Sequence, residues 1–104
     1  MIEPQRTRAT GVLKVSAHSN PNSVAGALAG VLREIPAAEL QAIGAGATNQ
    51  AVKAIAIARS YLHASELDLV CVPEFTEVEI EGSVRTAIRL LVQRLPLRQA
   101  AESA

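Results

Sequence analysis

From Gly11 to Ala17 the chain alternates, with Leu13, Val15 and Ala17 set against Lys14 and Ser16. A period of two predicts a strand with one buried face. The polar run His18–Ser23 breaks the alternation. Within it, Asn20 suits a helix N-cap and Pro21 the first helical position. Val24, Ala27, Leu28, Val31, Leu32 and Ile35 then recur at helical spacing until Pro36 ends the helix. Glu39–Ile43 predicts a short second strand. A small apolar run stops at Gly44 and Gly46, and the polar cluster Thr48–Asn49–Gln50 opens a second helix over Gln50–Leu62. Leu67–Val72 is rich in β-formers and predicts a buried third strand, with Pro73 marking a bend or a switch to an edge.

Thr76–Ile80 and Val84–Val92 alternate around Gly82, which predicts a hairpin. A three-residue loop, Glu81–Ser83, pairs Ile80 with Val84, Val78 with Thr86 and Glu79 with Arg85. A two-residue loop mismatches the faces, so the three-residue register is preferred. Pro96 ends the strand region. The order is β-α-β-α-β-β. Right-handed crossovers put both helices on one face of the sheet. The expected fold is α/β: a two-layer sandwich with a mixed four-stranded sheet, two helices on one face and a β-hairpin arm. Residues 1–10 read as a flexible N-terminal arm, 11–95 as the domain and 96–104 as a C-terminal tail.

Composition narrows the class. Apolar residues make up 49% of the chain but aromatics only 2%, so the core is built from Val, Ile, Leu and Ala. Ten basic residues balance ten acidic ones, so no global field draws the chain to a polyanion, and nucleic-acid binding needs a local patch. The single cysteine, Cys71, has no partner for an internal disulfide, which fits a reducing compartment. The first ten residues lack the apolar stretch of a secretory signal, and no apolar run reaches membrane-spanning length. A cytoplasmic protein with no membrane association is expected.

Two loops carry the candidate site. If the first two strands are parallel neighbours, Ser19–Ser23 and Gly44–Gln50 lie along one sheet edge, outside the carboxyl ends of the strands. Ser19, Asn20, Asn22, Ser23, Gly44, Gly46, Thr48, Asn49 and Gln50 offer hydroxyls, amides and free backbone N–H groups, with no carboxylate. That set suits a phosphate or another anion. The competing reading is that Asn20 and Thr48 only cap helices and the glycines only permit tight packing. Lys53 is placed one turn into the second helix, where the dipole disfavours a cation and a bound anion would relieve it. The loop is not a phosphate-loop or dinucleotide fingerprint: Thr48–Asn49–Gln50 replaces the Gly-Lys-Ser/Thr that the first requires, and Asn49 replaces a glycine of the second.

The helices suggest self-association. Pro21–Leu32 contains no charged residue, and Gln50–Leu62 contains only Lys53 and Arg59. Ala25, Gly26, Ala29 and Gly30 on the first helix, and Ala51, Ala54 and Ala58 on the second, are assigned to outward faces that a homodimer or higher oligomer would bury. No spacing among His18, Ser19, His63, Asp68 and Cys71 supports catalysis or a metal site, so no enzyme, metal or cofactor is expected. Glu74, Glu77, Glu79 and Glu81 are expected to neutralise Arg85, Arg89 and Arg94 across the hairpin.

The runs LKVSAHSNPNSVAGALAGVLRE and ELQAIGAGATNQAVKAIAIAR closely resemble the stage V sporulation protein S family, over about Leu13–Gln93. The resemblance implies a small, non-enzymatic protein linked to sporulation control. A more distant similarity is to the Alba chromatin proteins, through the β-α-β-α-β-β order and the Gly-polar-Ala-Val pattern at Gly46–Val52. It implies an Alba-like fold, a dimer, and binding of DNA or RNA through the first loop, the start of the second helix and the hairpin. His18–Asn22 here carries no lysine or arginine, so Lys53 and Arg59 supply the charge in that region. The leading expectation is a regulatory, oligomeric nucleic-acid binder. The alternatives are a protein-interaction module in developmental or cell-envelope assembly, and a sensor of a small phosphorylated ligand.

Overall fold

The structure is a computed structural model that describes residues 11–97. The elements run β1 (Val12–Val15), α1 (Pro21–Glu34), β2 (Ala37–Ala42), α2 (Ala45–His63), β3 (Leu67–Ile80) and β4 (Ser83–Pro96). The sheet order is β1-β2-β4-β3. β1 and β2 are parallel, and β4 is antiparallel to both β2 and β3. This is the mixed α/β arrangement expected from the hydrophobic pattern. The expected N-terminal arm at 1–10, and 98–104 of the expected tail, lie outside the described residues.

The strand registers put Leu13, Val15, Ala38, Leu40, Ala42, Leu90, Val92 and Leu69 on one face. Both helices pack on that face, with Leu28, Leu32 and Leu62 fully buried against it. Truncating a buried leucine of this kind costs about 2–5 kcal/mol. Asn20 caps α1 as expected, its Oδ1 accepting from the N–H groups of Asn22 at 2.8 Å and Ser23 at 3.2 Å. At the other end of α1, Arg94 donates to the Leu32 carbonyl at 2.7 Å, a cation where the helix dipole favours one.

Three expectations are corrected. First, α2 begins at Ala45, not Gln50, with Gly44 at its N-cap. Lys53 therefore sits in the third turn, beyond the reach of the terminal dipole, and the strain argued for it does not exist. Second, the hairpin loop has two residues. Ile80 faces Ser83, Glu79 faces Val84, and Val78 faces Arg85. Glu81 and Gly82 both take positive φ, at 50° and 82°, as a two-residue loop that follows the strand twist requires. Face matching did not select the register, because the arm extends past β2 and its side chains there are largely exposed.

Third, the alanines are core. Ala25, Ala29, Ala51, Ala54 and Ala58 are at most 1% exposed. They lie on the same helical faces as Leu28, Leu32 and Leu62, and their small side chains let the helices sit close to the sheet and to each other. Of the seven residues assigned to an oligomer surface, only Gly26 and Gly30 reach it. The outward face of α2 is instead Asn49, Val52, Lys53, Ala56, Arg59 and Ser60. Pro73 falls within a continuous β3, and the whole strand is an edge, which accommodates its missing N–H.

Candidate functional site

Because β1 and β2 are adjacent and parallel, the loops that leave them emerge side by side. Two contacts tie the loops together. Gln50 Nε2 donates to the Ser19 carbonyl at 2.8 Å. A methyl group added at Gly46 would stand 3.0 Å from the Ala17 Cβ, so α2 starts against the β1–α1 loop as closely as a glycine allows. Gly44, at φ 91°, turns the chain into the helix. The paired edge expected from the sequence is therefore formed.

The candidate side chains divide into two groups. Ser19 Oγ accepts from the Ser16 N–H at 2.9 Å, Asn20 holds the α1 cap, Thr48 donates to the Gly44 carbonyl at 2.9 Å, and Gln50 bridges to Ser19. These four build the edge. Asn22, Ser23, Asn49 and Lys53 are exposed, and among the described residues their side chains make no hydrogen bond or ion pair. Asn49 and Lys53 lie in the second and third turns of α2, whose N-cap glycine supplies no side-chain cap. His18 is exposed in the same loop, and sequence reasoning considered it only for catalysis. The arrangement offers N–H, amide and hydroxyl donors and one lysine. It can hold an oxyanion by hydrogen bonds.

Arg59 does not join this set. Its Nε and Nη2 donate to the two oxygens of Asp68 at 2.7 and 2.8 Å. Asp68 is 2% exposed, also accepts from the Leu69 N–H at 2.8 Å, and lies 3.5 Å from His63 Nε2. The Arg59 guanidinium, helped by that backbone N–H, holds the Asp68 carboxyl down to about 2. A carboxyl depressed by folding stabilises the fold above its unfolded pKa and loses that contribution as pH falls through the folded one. About 2 kcal/mol of stability is therefore expected to vanish between about pH 5 and pH 2, and Asp68→Asn should remove that part of the acid dependence in urea melts read across this range.

The hairpin is neutralised only in part. Glu74 pairs with Arg89, and Glu39 lies 3.9 Å from Arg89 Nη1 on the helix-free face. Arg94 is taken by the α1 carboxyl end. Among the described residues, Arg85, Glu77, Glu79 and Glu81 have no ion pair, so the arm tip is acidic. Cys71 packs half-buried against the core as expected, and burial pushes its thiol up. Among the described residues there is no cluster of three metal-ligating side chains, and no helix is long and apolar enough to cross a membrane.

Strand order, paired loops and hairpin all lie between Gly11 and Pro96. A family model described as Stage V sporulation protein S (SpoVS) matches residues 11–95. That match spans both loops, both helices and nearly all of the sheet, and the chain belongs to the stage V sporulation protein S family.

Proposed function

We propose that this chain is a non-enzymatic regulatory protein of sporulation that binds nucleic acid, as an oligomer, through the paired loop edge. The observation that carries the reading is a group of exposed donors: Asn22 and Ser23 in the first turn of α1, Asn49 in the second turn of α2 and Lys53 in its third, with the N–H groups at the uncapped start of α2. Helix-start N–H groups and amides bind phosphate oxygens well, and a lysine adds charge.

Charge sets the magnitude. Among the described residues the loop edge has one unpaired lysine per protomer, Lys53, so a dimer contacts about two phosphates there and affinity should fall about tenfold between 50 and 200 mM salt. A fluorescence-anisotropy titration with a labelled oligonucleotide reads this directly. Lys53→Glu should abolish most of the salt dependence along with the binding, with the melting temperature unchanged. Absence of binding at low salt rejects the reading.

The self-association surface moves from the alanines to the β3 side. Arg59 meets Asp68 there, and α2 runs antiparallel to β3. Val52 is 53% exposed on α2, and Phe75 is 78% exposed on the edge strand β3. Val70 and Val72 line the other side of that edge. A second reading, a protein-interaction module, draws on this same apolar edge, which would then serve a different protein.

A further inference from the structure

The hairpin arm does not continue in the plane of the sheet. β1 and β3 are separated by two strands, yet Val78, Glu79 and Ile80 of the arm line one cleft with Lys14, Ser16 and Gln41. The arm therefore bends back over the helix-free face. Lys14 and Gln41 are register partners on that face, and Val78 and Ile80 stand on the same side of the arm. The cleft has a volume of about 290 Å³. That is at the foot of the roughly 300–1,000 Å³ range of small-molecule pockets, with space for a single ring system.

Its chemistry is specific. Val78 and Ile80 give apolar walls that suit the faces of a flat ring. Gln41 Nε2 is engaged by Glu39 Oε2 at 2.9 Å, which leaves the Gln41 amide oxygen as an acceptor. Lys14 provides a donor. A ring edge with a carbonyl oxygen beside an N–H matches this set. The cleft also adjoins the paired loops: Ser16 lies on it, and three residues later Ser19 belongs to the loop edge. A strand held by its phosphates at that edge passes the mouth of the cleft.

We infer that the cleft under the arm receives one unpaired nucleobase with a carbonyl–N–H edge, thymine, uracil or guanine, from a single strand held at the paired loops. The inference rests on the nucleic-acid reading and narrows it to single-stranded nucleic acid. A base inside a duplex presents neither its faces nor its pairing edge, so the cleft cannot read it.

The test compares a thymidine oligomer, an adenosine oligomer, their duplex and thymidine monophosphate, each titrated against the wild-type chain and Ile80→Ala. Ile80 is 41% exposed, so its truncation leaves the fold intact, which a thermal melt checks. The thymidine oligomer is expected to bind about tenfold more tightly than the duplex or the adenosine oligomer, and Ile80→Ala should erase that preference while duplex binding holds. Equal binding of all three polymers, untouched by Ile80→Ala, overturns the cleft assignment and leaves the loop-edge reading standing. Binding of thymidine monophosphate without the oligomers also overturns it, in favour of a free nucleotide. No binding of any polymer rejects both readings.

Discussion

Replacing Ala54 by aspartate is expected to abolish folding of the domain. Ala54 is 0% exposed, in a stripe with Ala47, Ala51, Ala58 and Leu62 that faces the sheet and α1. A carboxylate there has no partner, and an unpaired buried charge costs more than about 4 kcal/mol. A domain of this size has about 5–15 kcal/mol in all, and one with so few aromatics and so many alanines belongs toward the low end. Gly26→Ala is the contrasting change. Nothing lies within 4 Å of a methyl group built there, so the helix should gain about 0.5–1 kcal/mol. Urea denaturation followed by circular dichroism distinguishes the two. An Ala54→Asp protein with an unchanged midpoint and an altered assembly size would return the alanines to the outer surface.

If the chain self-associates as proposed, Phe75→Glu is expected to convert the assembly to monomer with little change in melting temperature. Phe75 sits on the edge strand, opposite Ile88, with most of its ring in solvent. Its removal costs the isolated domain little. In an assembly across the β3 edge, two glutamates would replace two phenyl rings, losing apolar burial and adding like-charge repulsion. Central aromatic anchors of this kind are worth about 2 kcal/mol or more each, so the dissociation constant should rise at least thirtyfold. Sedimentation velocity measures it. Gly26→Arg, on the face first assigned to the partner, should leave the assembly intact. The reverse pattern, with Gly26→Arg dissociating the protein and Phe75→Glu not, would place the interface on α1.

The architecture was legible because each element carried its own signal. Asn20 and Pro21 marked the start of α1, Pro36 its end, and alternation marked β1 and the hairpin. The paired loops were conditional on β1 and β2 being parallel neighbours, a condition the sheet meets. Where the reading failed, local rules competed with tertiary ones. Helix α2 starts early because Gly44 turns the chain and Ala45–Ala47 are good helix formers, whereas the polar Thr48–Asn49–Gln50 cluster looked like a boundary. The alanine stripe was misassigned because small residues resemble a bland surface, although the Ala47–Ala51–Ala54–Ala58–Leu62 spacing is that of an inner face. The hairpin register depended on Glu81 adopting a left-handed conformation, which side-chain alternation does not encode.

The site was legible as a list and not as a division of labour. Nothing local separates Asn20, consumed in a cap, from Asn22, which is free, or Arg59, bound to Asp68, from Lys53. The cleft under the arm had no sequence signal, since Lys14 and Ile80 come together only through the bend of the hairpin.

The most direct measurement of the central claim is amide chemical-shift mapping during the low-salt titration with an oligonucleotide. The account predicts the largest shifts at Ser19, Asn22, Ser23, Gly44–Gly46, Asn49 and Lys53, diminishing as salt is raised. Shifts confined to the α2–β3 edge around Val52 and Phe75, or no shifts at all, would contradict it.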